Sequence, residues 1–377
     1  MSERNMKCRL FICAEMWYII GAITLRTMPD ALSKGGEERV KRWIAAALLV
    51  IIAFSLCACE KKMQRFSRTY WDLFDTYTTF ICYTESEEDF NKASGIVYDT
   101  LLECHRLFDG YNTYEGINNL FVLNGHAMLA PVKVDEKLFD LIDRSMVCSD
   151  VMCDKVNIAM GSVLILWHNE RENGINVPES AALQAASGHC NRSDVVLDRE
   201  QMTVFYADPE MRLDLGAVAK GYAVEMAAQA LEKNGYHSYL ISAGGNVRVG
   251  DAPADGRKYW NVSIQDPDDA SSYMDVIQCV NSAVVTSGDY QRYYEVDGVR
   301  YHHIISPDTL YPARGMRSVT VVAPDSMMAD FLSTALFILP EEEGDRLLSS
   351  LEGTEAYRIT DSGDVLISDG MKEMLVK

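Results

Sequence analysis

The dipeptide Asp297-Gly298 lies between two short runs of aromatic and β-branched residues, Tyr293–Val296 and 299–303. A two-residue type I′ turn needs positive φ at both central positions, and Asp-Gly is among the few pairs that accept this readily. The pair therefore predicts a β-hairpin and two antiparallel strands at a fixed register. It also brings Thr286-Ser287-Gly288-Asp289-Tyr290 close to His302-His303 and to Ile304-Ile305-Ser306-Pro307. Imidazole titrates near neutral pH, so proton transfer or metal chemistry is expected at this corner.

The rest of the chain reads as strands relieved by a few helices. Residues 74–81 are rich in β-branched and aromatic types and read as a strand. Glu87–Phe108 has helical apolar spacing, 138–148 and 181–187 are shorter helix candidates, and an apolar run at 163–168 leaves the turn at Gly161. Beyond Met202 the period shortens. Segments 204–206 and 211–215 suit paired strands, and 239–242 is a buried strand ending at Gly244-Gly245. Residues 260–264 alternate apolar and polar, and 318–322 is another strand. Helix 218–233 is closed by Asn234-Gly235, and helix 327–339 is stopped by Pro340. This order predicts an α+β fold, antiparallel sheets with packed helices, in one catalytic unit over residues 70–377.

The N-terminus has a different character. Arg39, Lys41 and Arg42 precede an apolar run at 43–56, followed by Cys57-Ala58-Cys59 and then Glu60-Lys61-Lys62. A basic region, about fourteen apolar residues and a small residue before the cut describe a secretory signal. Leu56-Cys57-Ala58-Cys59 is similar to a bacterial lipobox, with Cys59 as the lipidated residue of a membrane-anchored, extracytoplasmic protein. The expected divisions are an extension and basic region at 1–42, a signal core and lipobox at 43–59, and a tether at 60–69. Residues 1–38 fit a signal poorly, and Met28 is the better start. Of 35 basic and 55 acidic residues, residues 1–59 hold eight and five, which leaves 27 and 50 and a net charge near −23. Such a field repels nucleic-acid backbones and excludes that class of partner. Six cysteines remain beyond the signal, with no CxxC and no zinc-like spacing.

Two constellations carry chemistry. Asp214-Leu215-Gly216-Ala217-Val218-Ala219-Lys220-Gly221 joins a strand to a helix start, where glycines allow close approach and helix N–H groups favour anions. Lys220 adds a point charge suited to phosphate. Asp330 and Thr334 sit one turn apart on a helix, with Ser333 adjoining. A carboxylate and a hydroxyl about 6 Å apart along one face suit a hard cation such as magnesium, which keeps substrate phosphates as partners.

Taken in order, Phe74-Asp75-Thr76, residues 155–167, residues 214–221, Gly244-Gly245, residues 286–290, His303-Ile304-Ile305-Ser306-Pro307 and Ala329-Asp330 with Thr334 resemble the ApbE-like FAD:protein FMN transferases. The resemblance implies magnesium-dependent transfer of FMN from FAD to a Ser or Thr hydroxyl of an exported acceptor protein, with release of AMP. It implies that Asp214, Lys220, Lys155, Val156, Asn157 and Ile304 contact FAD, with Tyr111 on the isoalloxazine side. The Ala217 carbonyl, Asp330, Thr334 and Ser333 would hold Mg2+, and His303 or Asp289 would take the acceptor's proton. Three departures stand out. Ser306 replaces the usual Asp, Asp154-Lys155-Val156-Asn157 replaces Gly-Ala-Phe-Asp, and Thr309-Leu310 replaces Thr-Gly. Leu310 without a glycine's freedom predicts a different turn there. Two alternatives remain open: hydrolysis of FAD to FMN and AMP, and a non-catalytic flavin- or solute-binding lipoprotein.

Overall fold

A computed structural model describes residues 62–174 and 176–376. The expected signal and lipobox, Cys59 included, lie outside the described residues. Among those residues no helix is long and apolar enough to cross a membrane.

The first two strands form a hairpin, β1 (Gln64–Leu73) and β2 (Thr76–Thr84). Helix α1 (Glu87–Phe108) follows, capped by Ser86, whose Oγ accepts the Asp89 amide at 3.2 Å. Next come α2 (Leu120–His126), β3 (Val132–Lys133), α3 (Glu136–Val151), α4 (Gly161–Asn173) and α5 (Ser180–Ser187). Strands β4 (Val195–Asp198) and β5 (Thr203–Tyr206) pair with β3 in a small sheet ordered β3-β5-β4. Helix α6 (Ala219–Lys233) leads to β6 (Tyr239–Ala243) and β7 (Asn246–Val249). Strands β8 (Trp260–Gln265) and β9 (Tyr273–Cys279) pair only with each other, and β10 (Ser282–Gly288) returns to the main sheet. The chain ends with β11 (Tyr293–Val296), β12 (Val299–His302), β13 (Met316–Ala323), α7 (Ser326–Ile338), α8 (Glu341–Ser349), β14 (Glu355–Thr360), β15 (Val365–Ile367) and α9 (Asp369–Met374).

An eight-stranded antiparallel sheet, ordered β1-β2-β6-β7-β10-β13-β14-β15, organises this unit. Strand alternation sorts its side chains into two cores. Val319 and Val321 of β13 face a core shared with α1, α6 and α7, whereas Val322 faces a second core with Trp260, Ile277 and Met371. A third cluster joins Met160, Val163 and Trp167 of the α4 region to Tyr294, Ile305 and Leu310. Hairpin β11–β12 has the predicted register, with Val296 opposite Val299 and φ of 51° and 76° at Asp297 and Gly298.

Three expectations need correction. Residues 74–81 are not one strand, because Phe74 and Asp75 form the β1–β2 turn at φ of 54° and 51°. Residues 64–69 are not a tether but most of β1, paired with β2 from Gln64 opposite Thr84. Residues 211–215 do not form a strand. Arg212 makes one bridge to Met160, and the Asp214 amide donates to the Ile158 carbonyl at 2.8 Å.

Candidate active site

Gly221 is where α6 and α7 touch. A Cβ there would collide with the Ser326 carbonyl oxygen and lie 2.6 Å from Asp330 Cβ. The Gly221 amide, a first-turn donor with no partner inside its own helix, donates to Asp330 Oδ2 at 2.8 Å. The mid-chain glycine turn and the late carboxylate therefore meet. Gly221→Ala should destabilise the protein by about 1–3 kcal/mol, because overpacking outweighs the roughly 1 kcal/mol that alanine gains in helix propensity. Urea titration measures this, and a stabilised variant would show that the helices can part freely.

Asp330 is 5% exposed. Burial raises its pKa to about 6, while nearby Lys220, the Gly221 amide and Asn246 oppose that rise. The Asn246 amide nitrogen lies 3.4 Å from Asp330 Oδ1, and the Asn246 carbonyl oxygen is buried without a partner. Asn246 follows Gly244-Gly245, both at positive φ. A Cβ on Gly244 would sit 2.5 Å from Thr76 Oγ1, so this glycine also lets the β1–β2 turn press against the site. Lys220, half-buried, has its pKa lowered by burial and by Arg292, against the pull of Asp330.

His303 lies within electrostatic reach of Lys220. Its amide donates to the Arg292 carbonyl at 3.1 Å, at the open end of the β11–β12 hairpin. Desolvation, Arg292 and Lys220 depress its pKa to about 3, and its Nδ1 is buried without a hydrogen-bond partner. His302 faces elsewhere, with Nε2 2.9 Å from the Ala313 carbonyl and its ring edge-on to Phe337. The two histidines thus do different work: one holds the fold and the other faces the cationic pair. Tyr111, 53% exposed, stacks on His168 at 4.6 Å, and its hydroxyl is pushed up to about 12 by burial and by Asp214.

The remaining expected site residues divide. Asp214 accepts the Gly216 amide at 2.8 Å and shapes the turn that holds Ala217. Ile304 is buried in the main core beside His303. Thr334 is half-buried one turn beyond Asp330. Ser333 Oγ bonds the Asp330 carbonyl at 2.9 Å and Ser287 Oγ at 2.8 Å, so its hydroxyl already has partners. The 155–157 side chains serve the fold: Lys155 pairs with Asp308 at 2.6 Å, Val156 is core, and Asn157 bonds the Cys190 carbonyl at 2.8 Å. Asp289 Oδ2 accepts Arg317 Nε at 3.0 Å, and Arg300 lies 3.6 Å away.

Leu310 departs from expectation, since it does adopt a glycine-like φ of 62°. That conformation costs a leucine about 1–2 kcal/mol. Its buried side chain packs in the Trp167 cluster and its carbonyl accepts Trp167 Nε1 at 2.9 Å, which together hold it there.

Sequence reasoning missed Arg292, His168 and Asn246. Arg292 is exposed, has no acidic partner among the described residues, and acts on Lys220, His303, His168 and Tyr111. Only its position beside the hairpin could have marked it.

Among the described residues, no group of three or more His, Cys, Asp or Glu side chains could hold a metal. Any cation here would have one carboxylate, Asp330, with neutral oxygens for the rest. The orphaned Asn246 oxygen and a buried carboxylate disfavoured as an anion both fit a bound hard cation that also keeps waters and phosphate oxygens.

Known proteins share this arrangement of elements. The chain is 36% identical over 266 residues to the FAD:protein FMN transferase of Treponema pallidum, covering 67% of this chain and 73% of that protein. It is 28% identical over 337 residues to the one from Vibrio cholerae, covering 89% and 96%. In three dimensions it resembles the crystal structure of the ApbE protein from Thermotoga maritima, with a TM-score of 0.75, 28% identity, and coverage of 83% and 100%. The ApbE family profile matches residues 74–358, and the chain belongs to that family.

Proposed function

We propose that this ApbE-family enzyme transfers FMN from FAD to a Ser or Thr hydroxyl of a protein acceptor and releases AMP, with Mg2+ held at Asp330. The observation that carries this reading is the junction of the Lys220-Gly221 turn with Asp330, facing an unpartnered neutral His303. Asp330 and Thr334, with the Ala217 carbonyl, would hold the cation. Bound there, magnesium would supply a Lewis acid for the phosphoryl oxygens. Lys220 and Arg292 would bind the pyrophosphate and offset charge that develops on it.

The acceptor oxygen attacks the FMN-side phosphorus, the bond from that phosphorus to the AMP oxygen breaks, and His303 Nδ1 takes the hydroxyl proton. An anionic pyrophosphate beside Lys220 and Arg292 cancels part of the field that depresses His303, so substrate binding restores basicity where it is needed. The stacked Tyr111 and His168 offer a flat surface for a ring of the dinucleotide.

Incubation with FAD and Mg2+, with and without a Ser/Thr acceptor protein, tests the reaction. Flavin fluorescence that stays with denatured acceptor, and AMP in equal amount, is the expected result. Free FMN and AMP regardless of acceptor would make the protein a pyrophosphatase. FAD retained without AMP would make it a binding protein.

The lipobox-like sequence supports anchorage through Cys59 on the extracytoplasmic face, and with it an exported acceptor. Cys59→Ala should move the enzyme from the membrane to the soluble fraction on cell fractionation. An unchanged distribution would count against lipidation.

A further inference from the structure

Each helix at the junction supplies the carboxylate that closes the other's first turn. Asp330 of α7 accepts the Gly221 amide of α6 at 2.8 Å, and Glu225 of α6 accepts the Ser326 amide of α7 at 3.0 Å. Both amides belong to the first helical turn and have no partner within their own helix. The α7 cap Asp325 satisfies Met328 instead, at 2.8 Å. Gly221 and Glu225 are four residues apart, as are Ser326 and Asp330, so the two bonds lie about one turn from each other. A single bond would let α7 pivot on α6; two, one turn apart, fix both slide and rotation.

Glu225 is itself held. Its Oε2 also accepts Arg248 Nε of β7 at 3.2 Å, and its Oε1 accepts Gln229 Nε2 at 3.2 Å. Glu225 and Arg248 are 5% and 7% exposed. A buried ion pair of this kind is seldom more stabilising than apolar residues of the same volume, so stability alone is a weak account of it. Its geometric effect is specific. Asp330 Oδ2 is occupied by Gly221, so only the other oxygen faces Asn246 and a cation, and its direction follows from where the start of α7 is held.

We infer that Glu225 is a positioning residue that sets cation affinity at Asp330 by pinning the first turn of α7 to α6 and the sheet. This rests on the reading of Asp330 as the cation's carboxylate. Calorimetric titration of Mn2+ alone into the metal-free full-length protein, at pH 7.5 and a temperature well below unfolding, tests it. Glu225→Ala should weaken the Mn2+ Kd about 10- to 100-fold, the usual effect of losing a partner behind a metal ligand. Glu225→Gln should stay within about threefold, because an amide oxygen still accepts the Ser326 N–H and supports the same ligand geometry.

Ser326→Pro deletes the donor while leaving the Glu225–Arg248 pair intact. Proline suits the first helical position, and Asp325 at φ −115°, ψ 132° already has the backbone a following proline requires. This variant should weaken Mn2+ as Glu225→Ala does, and it carries the test alone if the alanine variant does not fold. Unchanged Kd in the folded variants overturns the inference, as does Glu225→Gln binding as weakly as Glu225→Ala. Asp330→Asn runs alongside: if it binds Mn2+ like the wild type, the metal reading falls and this inference with it. Dependence on Asp330 with indifference to Glu225 and Ser326 sinks the inference alone.

Discussion

Asp330→Asn should sharply reduce flavin transfer and yet leave the metal-free protein more stable than the wild type at pH 8. The carboxyl's folded pKa is raised from 3.8 to about 6, chiefly by burial. A raised folded pKa contributes stability that is fully present below pH 3.8 and is lost as pH rises through about 6. Above that range the buried anion costs about 2–3 kcal/mol relative to its protonated form. The substituted amide removes this cost. Its oxygen can still accept the Gly221 amide, and its nitrogen can donate to the Asn246 oxygen that now has no partner. Urea titrations of metal-free protein should find wild type and variant alike near pH 4, with the variant ahead by about 2–3 kcal/mol at pH 8. A variant less stable at pH 8 would mean that Lys220 stabilises the anion by more than burial destabilises it. The transfer rate should fall about 10²–10³-fold or further, the usual scale for losing one preorganised electrostatic group.

Activity and stability are opposed at this position for a physical reason. The site keeps an anion in a place that disfavours it, and the proposed cation would relieve the strain. Saturating Mg2+ should therefore raise wild-type stability at pH 8 and leave Asp330→Asn unmoved.

Much of this arrangement was legible in the sequence where local chemistry decides the backbone. Asp297-Gly298 fixed its hairpin, and Glu87–Phe108 has the same bounds in the sequence pattern and in the fold because Ser86 caps it. Turns made without glycine were not legible. Phe74 and Asp75 reverse the chain in a stretch whose composition reads as continuous strand. Strand β1 was hidden because it is an edge strand exposed along most of its length, so no apolar alternation marks it. Residues 211–215 carry strand-like chemistry, but the Met160 and Ile158 backbone occupies their hydrogen bonds, a contact some fifty residues back.

The candidate site divides in the same way. Asp330 and Lys220 were each marked by residue type and local spacing, and the family resemblance implied that they meet. Arg292 was not marked, because only the tertiary fold brings its charge within electrostatic reach of Lys220. The arginine partners of Asp289 were hidden for a related reason. As a sequence symbol Asp289 is a free carboxylate beside a histidine pair, whereas in the fold Arg300 and Arg317 hold it.

Lys220→Met should reduce transfer by about 10²–10³-fold at pH 7 through two separable effects. The first is loss of the positive charge that Lys220 would present to the pyrophosphate. The second acts through Asp330, whose carboxyl Lys220 draws toward ionisation against burial. Without that cation the carboxyl's pKa rises further above its ordinary range, so at neutral pH more of it is protonated and unable to hold a metal. Raising the pH ionises it again. The variant's deficit should therefore shrink from pH 6.5 to pH 9, and its Mn2+ affinity should climb more steeply with pH than the wild type's. His303 moves the other way, since Lys220 is one of the charges that depresses it. Its pKa rises toward its usual value in the variant, which makes it a better base and cannot account for a loss at low pH above that value. Initial transfer rates and Mn2+ titrations across this pH range separate the two effects. A deficit of constant size would mean that Lys220 acts on the substrate alone and that burial by itself sets the state of Asp330.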